Sequence, residues 1–583
     1  MTVTVLDNVP EDPQIVLAWN DLVFQMERPE IFFTQQWALA ASRAYLNSFS
    51  PLILLVYDSN RLRGLAALAT HRESPENAFF LTATTADYCD IVSAPQTRQA
   101  VVSAVLEELN KRKVRNLIFA SVPAASPTLP AIAAIARSQG FHLHDRPASD
   151  CGMIALSNEG QRQAVFHSVA GKEKEKRGLK KLSQTGPIQV THLRQEEELT
   201  NALEPIFVAQ TFRFLTTNRV SPLVHPERRF FLTQLATLLS REGWLKISRL
   251  EVGGHPIAWN YGFRFSDSWF WYLPTYQVQY ERLSPGSCLL RLLTEEACAD
   301  STVKRLDLGL GDETYKQRYR NAVTPTRYLQ LSSSVPRHWI NVSRYQLVAG
   351  VTKFPAVETG LRSARDRANK LASRARKTGI VATATHLSTR AKRVLASTDE
   401  IAFFEAPNQV PSEDEGFSLT PFGPEQIADA AMHNAESDDE DQQTLQYLMR
   451  SARRLKQSQA VGYMLQPAGE SAAHFLWVDN YDGFHLAEID ARLASTDPNA
   501  CIIFDCWTPV AKRGHGYYAT AIRLAAASLQ KQQKTAWIFS AFKNHPSIQG
   551  ILKAGFLYRF SMTRNKLLFH STLSRHQSPS LQK

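Results

Sequence analysis

Two runs in this 583-residue chain put glycine where a strand-like segment meets a helix-like one, and one chemistry suits both. In "RGHGYY", Arg513, Gly514, His515, Gly516 and Tyr517 lie between the apolar "ACIIFDCW" and "YATAIRLAAASL"; in "LSPGSCLLRLL", Ser284, Pro285, Gly286 and Ser287 open another helix. Glycine costs about 1 kcal/mol relative to alanine in a helix and packs poorly in a strand, so its presence here asks for a compensating gain. The first turn of a helix leaves N–H groups unpaired at a partly positive end, and such a turn holds phosphate or pyrophosphate. Arg513 and His515 would add charge, although a plain helix-opening turn has the same residues. A second group suits proton transfer. Asp307, Asp312 and Glu313 flank a Gly-broken loop as possible bases, and Tyr315 next to Lys316 sets a hydroxyl beside a cation. Tyr272, Tyr276 and Tyr280 offer aromatic faces and hydroxyls to a sugar or an extended arm. Solvated loop acids, a structural Lys–Asp pair and packing tyrosines read the same way. Near the C-terminus the candidate bases are Glu488 and Asp490 in "FHLAEIDARL", with Tyr558 further on.

The elements that position these residues alternate between helical and strand periodicity, which predicts an α/β (α+β) architecture. "PLILLVYDSNRLRGLAALATHR" predicts a hairpin from Leu52 to about Thr70, and "TRQAVVSAVLEELNKRKVRNLIFASV" an amphipathic helix running into a strand. The turn-rich "DRPASDCGM" (145–153) predicts a crossing between sub-domains. A second hairpin turns at Gly253 and Gly254, followed by an aromatic strand, the helix opened by Ser284 to Gly286, and a strand ending in the Gly-broken loop. The first 335 residues therefore carry one plan twice. The expected organisation is a unit at 1–155, a second at 156–335, a basic linker at 336–400, a third unit at 401–571 and a tail from 572.

Length beyond roughly 250–300 residues calls for several domains. The net charge of +11 is unevenly spread: Lys353 to Arg393 holds eleven Lys or Arg against Glu358 and Asp366, whereas Glu413 to Asp441 holds ten acids and no Lys or Arg. The run "GKEKEKRGLKKL" (Gly171 to Leu182) is basic as well, as a solvated helix face or as a partner for a phosphate-bearing ligand. Six cysteines are scattered with no C-x-x-C pair, so reduced, mostly buried thiols and no metal site are expected. No apolar run approaches the roughly 18 residues of a membrane span, and the first residues lack the plan of a signal peptide, so the expected location is cytoplasmic.

The segment around "RGHGYY" resembles the pyrophosphate-binding motif of the GNAT acyltransferase superfamily, [Q/R]-x-x-G-x-[G/A]. Downstream, "TAWIFSAFKNHPSIQGILKAGFLYRFSM" resembles that superfamily's next segment, which implies that Asn544 and Ser547 lie near the pantetheine arm of acyl-CoA. Tyr518 stands where Gly or Ala is usual, and Ile551 where many members carry a Tyr acid. From about Val165 to Arg327, "GKEKEKRGLKKL", "GGHPIAWNYGF", "WYLPTYQVQYERLSPGSCLLRLLTEEA" and "LDLGLGDETYKQRYRN" look like the cellulose-biosynthesis (CelD-type) acetyltransferase family, a FemAB-like relative of GNAT with two GNAT-like units side by side. The resemblance implies a tandem GNAT pair followed by a third GNAT-like domain, with acetyl-CoA or another acyl-CoA as co-substrate. It implies N- or O-acyl transfer to a sugar or amino-sugar in exopolysaccharide or cell-envelope synthesis. Two alternatives stay open: a FemAB-type transfer from aminoacyl-tRNA, which the basic runs would suit, and a degenerate C-terminal module that senses acyl-CoA or joins partners.

Overall fold

The hairpins read from the sequence form, and their turns have a local cause. Ser59 and Asn60, at φ of 51° and 64°, join Phe49–Asp58 to Arg61–His71 with Asp58 opposite Arg61. Gly253 and Gly254, at 59° and 82°, join Ile247–Val252 to His255–Phe265. Two consecutive positive φ values match the twist of a two-residue hairpin. The computed structural model describes all residues except 200, 353–395, 412–415, 437–440, 458–459, 568–569 and 578–583. The basic run from Lys353 to Arg393 and part of the acidic one therefore lie outside the described residues. By packing, the chain divides into two bodies: Met1–Arg213 with His225–Gly350, and Phe214–Val224 with Val351–Lys583.

In the first body the strands are β1 (Thr2–Leu6), β2 (Phe49–Asp58), β3 (Arg61–His71), β4 (Ser74–Phe80), β5 (Val92–Ser93), β6 (Asn116–Pro123), β7 (His142–Ala155), β8 (Ile188–Leu193), β9 (Ile247–Val252), β10 (His255–Phe265), β11 (Ser268–Tyr276), β12 (Arg305–Leu310) and β13 (Ala322–Ser332). They make one sheet in the order β1-β2-β3-β4-β6-β13-β7-β12-β11-β10-β9-β8, with β5 on β3. The plan seen twice in the sequence is thus two halves of one sheet. Each half gives its last strand to the other: β7 pairs with β12, β13 pairs with β6, and β13 pairs with β7 at the centre. Residues 145–153, expected as a crossing, lie inside β7, because pairing with β13 satisfies their backbone and a register shift opposite Pro325 and Arg327 absorbs the irregular stretch. Each half also has a parallel neighbour pair joined through a helix, β4 with β6 and β11 with β12. The helix Arg98–Lys111 follows β4 and β5 in the first half and buries Val101, Val102, Val105, Leu106 and Leu109 at helical spacing. The helix Pro285–Ala299 does the same in the second, packing Leu289, Leu290 and Leu293 into a core with Trp269, Trp271 and Leu306.

The second body holds β14 (Ala396–Glu405), β15 (Phe417–Pro421), β16 (Val461–Pro467), β17 (His474–Asn480), β18 (His485–Leu486), β19 (Ala491–Arg492), β20 (Ala500–Trp507), β21 (Thr535–Ala541), β22 (Leu557–Leu567) and β23 (His570–His576). Eight of them form a sheet, β15-β16-β17-β20-β21-β14-β22-β23, and β18 with β19 make a separate ribbon. The helices Tyr517–Lys531 and His545–Lys553 cover one face through Ala521, Ile522, Ala525, Ile548 and Ile551. The expected tail from 572 is partly ordered, since His570–His576 pairs along β22 and satisfies that strand's edge. Four cysteines, Cys89, Cys151, Cys288 and Cys501, are buried, and Cys298 and Cys506 are half-buried. Among the described residues no helix is long and apolar enough to cross a membrane.

Candidate active site

Past Phe270 and Asp307 the parallel neighbours β11 and β12 part. Their pairing covers only Ser268 with Arg305, Trp269 with Leu306 and Phe270 with Asp307. Both strands are irregular at that point. β11 carries an extra residue between Phe270 and Leu273 against β10, and β12 shifts against β7 between Asp307 and Leu310, where Gly309 has φ 71°. Such bulges bend a strand and re-aim its side chains.

Asp87, which no sequence motif marks, enters this opening from the first half. A Cβ built on Gly309 would lie 2.5 Å from the Asp87 Oδ2 and 3.8 Å from the Trp271 carbonyl oxygen, so only glycine leaves room for the carboxylate. The loop that carries Asp87 is fixed at several points. Trp37 Nε1 donates to Thr85 Oγ1 (3.0 Å), Tyr272 Oη to the Thr85 carbonyl (2.5 Å), and the Cys89 N–H to the Ser121 carbonyl (3.0 Å). Tyr88 Oη donates to Asp307 Oδ2 (2.9 Å). Burial first, and the Asp307 charge second, raise the Asp87 carboxyl to about 7, against the opposing pull of Lys316, the Leu310 N–H and Arg228. Asp87 itself keeps partial solvent access.

The candidate residues of the second half fall around the same opening, in roles of their own. Asp307, expected at a strand end, sits within β12 at 1% exposure; its Oδ1 accepts from the Gly309 N–H (2.8 Å) and its Oδ2 from Arg28 Nη2 (3.3 Å) as well as Tyr88. Arg28 also pairs with buried Glu30, which Arg305 reaches at 2.9 Å. Asp307 is therefore a fixed charge next to Asp87, enclosed by donors. Tyr315 and Lys316 do not join each other. Tyr315 Oη accepts from Trp271 Nε1 (3.2 Å) across the diverging strands, whereas Lys316 Nζ donates to the Leu310 carbonyl and pairs with Glu313 at 3.1 Å. Burial pushes the Tyr315 hydroxyl up, so it stays protonated. Asp312 is exposed and pairs with Arg320 (3.1 Å). Tyr272 lies among Phe32, Trp37 and Phe263, accepts from Arg228 Nη2 (2.8 Å), and is pushed up to about 12 by burial; it anchors the Asp87 loop.

The helix Pro285–Ala299 begins beside this opening. Ser284 takes a left-handed conformation (φ 54°, ψ 50°) and its side chain caps nothing, so the first-turn N–H groups have no side-chain partner from it. The Tyr276 ring lies 3.3 Å from where a Gly286 Cβ would be, and Tyr276 and Tyr280 are half-buried against the core. The basic run becomes the helix Glu173–Leu182, with Glu175, Gly178 and Leu182 buried. Gly178 lets this helix touch the start of the next one: a Cβ there would lie 2.5 Å from the Leu283 carbonyl oxygen and 3.0 Å from Cys288 Sγ. Lys174, Lys176, Arg177, Lys180 and Lys181 are exposed. Buried Glu175 accepts from Arg318 Nη2 (2.9 Å), which ties the basic helix to the short helix Thr314–Tyr319. Gly178→Ala is expected to destabilise the body by about 1–3 kcal/mol through overpacking, measured by urea unfolding.

The C-terminal candidates are more dispersed. β20 and β21 pair over Ala500 to Ile503 and no further, and β20 carries a bulge at Asp505 (φ 47°), so this pair diverges as β11 and β12 do. Gly514 and Gly516, at φ 86° and 80°, have nothing within 4 Å of a Cβ, and Gly516 is the N-cap of the helix Tyr517–Lys531, its carbonyl accepting from the Thr520 N–H (3.2 Å) with no side chain to cap the first-turn N–H groups. Arg513 Nε donates to the Thr508 carbonyl (3.1 Å), and His515 stacks on Tyr517 at 5.7 Å. Tyr518 crosses to the neighbouring helix, its hydroxyl 3.0 Å from Ser547 Oγ and its ring over Gly550. Asn544 caps that helix, its Oδ1 accepting from the Ser547 N–H (3.4 Å). Ile551 is fully buried, and Tyr558 Oη lies 3.1 Å from Ser561 Oγ. Glu488 is exposed in the turn between β18 and β19, outside the main sheet, and Asp490 pairs with His485 at 3.2 Å.

Residues 171–317 match the acetyltransferase (GNAT) domain family. Among solved structures, the chain is similar to FemX (8% identity, 56% of this chain and 97% of that one, TM-score 0.39). It is similar to a conserved protein of unknown function from Bacteroides thetaiotaomicron (11%, 57% and 100%, 0.37) and to a tandem GNAT protein from the clavulanic acid biosynthesis pathway (14%, 57% and 99%, 0.33). No curated protein matches it. The segment that contains the basic helix, the helix-opening Ser284 to Ser287 and the diverging β11 and β12 is an acetyltransferase domain of the GNAT superfamily, of the CelD- and FemAB-like kind, and that family implies an acyl-CoA co-substrate.

Proposed function

We propose that the first body transfers an acyl group from acyl-CoA to an amine or hydroxyl acceptor at the opening between β11 and β12. The observation that carries this reading is the loss of pairing past Phe270 and Asp307 next to an uncapped helix N-terminus flanked by an exposed basic helix. The phosphates would lie at the N–H groups of Gly286 and Ser287, with Lys174 and Arg177 adding charge. Asp87 takes the proton from the acceptor as its nitrogen or oxygen attacks the thioester carbonyl. The tetrahedral intermediate then expels the CoA thiolate, and Tyr315, whose hydroxyl already accepts from Trp271 and so keeps its own proton to give, protonates it. The acylated acceptor and CoA–SH are the products, and the proton that Asp87 gives up to solvent is matched by one that Tyr315 takes back, so both groups return to their starting states. A sugar or amino-sugar of envelope or exopolysaccharide synthesis, which the CelD-type resemblance implies, is the acceptor class to assay first.

For the second body we propose a third GNAT-like domain that binds the phosphates of CoA at Gly514 to Tyr517 without turnover. Buried Ile551 and the Tyr518–Ser547 contact support this, because no proton donor stands where the superfamily usually has one. Calorimetric titration of the intact chain with acetyl-CoA tests both sites. Two equivalents are expected, with Gly516→Glu removing one and leaving transferase activity in place; a single equivalent unaffected by Gly516→Glu refutes the second.

A further inference from the structure

The first body has a basic face at the end of its strands away from the opening. β13 runs from Ala322, opposite Met153 beside Asp307, to Ser332, opposite Asn116. At that far end a cavity of about 460 Å³ is lined by Arg112, Lys113, Arg115 and Arg337, with Pro75 and one acid, Glu76. Glu76 accepts from Asn77 Nδ2 (3.1 Å), and Arg112 pairs with Glu108 (2.8 Å). Arg337 Nη2 donates to Asn77 Oδ1 (3.4 Å). Lys113, Arg115 and Arg337 make no ion pair among the described residues, so the cavity keeps a surplus of positive charge.

Arg337 belongs to the helix Val335–Thr352. The rings of His338 and Tyr345 turn toward β7, where they meet His142 (5.7 Å) and His144 (5.6 Å), and Arg146 lies over Tyr345 (5.0 Å). At 3.6 residues per turn the other side of the helix carries Val335, Trp339 and Ile340, which are 48%, 61% and 65% exposed. Arg344 is exposed two turns after Arg337, on the same flank of these apolar residues. Exposed tryptophan and aliphatic side chains flanked by arginine suit the boundary between water and acyl chains.

We infer that this face docks on an anionic lipid surface, with Trp339 and Ile340 entering the headgroup boundary and lipid phosphates held between Arg337, Arg115 and Lys113. Charge complementarity selects this occupant. Guanidinium groups match phosphate oxygens in pairs, and an anionic leaflet attracts each nearby Lys or Arg. Residues 353–393, which follow in the sequence, hold eleven Lys or Arg against two acids, so the charge continues in the same sense. The inference does not depend on acyl transfer, because the opening lies at the other end of the strands.

Flotation of the intact chain with vesicles tests it. Binding is expected to vesicles of equal parts phosphatidylglycerol and phosphatidylcholine, to fall as salt rises, and to be about ten-fold or more weaker on phosphatidylcholine alone. Lys113→Glu combined with Arg115→Glu should weaken anionic-vesicle binding about ten-fold or more, and Trp339→Ser about five-fold. All three residues are exposed, so both variants should keep the wild-type circular dichroism spectrum and melting temperature. Glycerol 1-phosphate, which carries the phosphate without the acyl chains, should leave flotation unchanged. Equal binding to both vesicles, displacement by glycerol 1-phosphate, or wild-type flotation of either folded variant would overturn the assignment. So would a chain that does not float yet binds tRNA through the same residues.

Discussion

Asp87→Asn is expected to lower the transferase rate of the intact chain by about 10²–10⁴-fold, the usual range for loss of a general base, while acetyl-CoA affinity stays within about two-fold of wild type. The asparagine keeps the shape of the side chain and the donor from Leu310 but cannot take a proton. The pH dependence separates this role from a structural one. With the Asp87 carboxyl at about 7, the wild-type rate should rise with pH through neutrality as the carboxylate forms, and that limb should vanish in the variant. Stability should move in the opposite sense. The folded value of about 7 lies above the ordinary 3.8, so the folded chain binds this proton more tightly than the unfolded chain does. The penalty for the ionised group is absent below about pH 4 and grows to its full size by about pH 7. Asp87→Asn should therefore melt at a higher temperature than wild type at pH 8 and match it at low pH. A variant less stable at pH 8 and proportionately less active would assign Asp87 to packing instead.

Ser287→Glu is expected to weaken acetyl-CoA binding at the first body by about 30-fold, or about 2 kcal/mol, without harm to the fold. Ser287 is the third residue of the helix Pro285–Ala299, whose first turn holds no acidic residue. A carboxylate there favours the helix by about 0.3–1 kcal/mol through its dipole and can cap an N–H, yet it occupies the position and charge of the phosphate. Affinity and stability should thus diverge, which separates ligand exclusion from unfolding. Calorimetric titration together with a melting curve reads both.

Local features of the fold and site were legible in the sequence. Ser59–Asn60 and Gly253–Gly254 announce their hairpins because the turn geometry needs residues tolerant of positive φ, and Ser284-Pro285-Gly286 announces a helix because Pro fits its first turn. The exchange of β7 and β13 was not legible, since pairing His142–Ala155 with Ala322–Ser332 joins residues nearly two hundred positions apart and no local pattern encodes it. The Pro, Ser and Gly of 145–153 even argue for a turn, and long-range pairing overrides them. Asp87 is silent in the sequence for the same reason. "TTADYCD" has no spacing that marks a base; its carboxyl is singular only because Gly309, the Leu310 N–H and the Asp307 charge, all from the other half, meet it. Asp307 reads in the sequence as a carboxylate at a strand end suited to a base, but nothing local tells that Tyr88 and Arg28 occupy it. Tyr272, whose ring and hydroxyl suit a ligand in the sequence reading, turns its hydroxyl instead to the Thr85 carbonyl and holds the Asp87 loop.

The most direct test is a crystal structure of the intact chain with acetyl-CoA. Pyrophosphate density at the N–H groups of Gly286 and Ser287, with the thioester between Trp271 and Asp307 and within reach of the Asp87 carboxylate, is the predicted result. Density confined to Gly514 to Tyr517, with the opening between β11 and β12 empty, would contradict it.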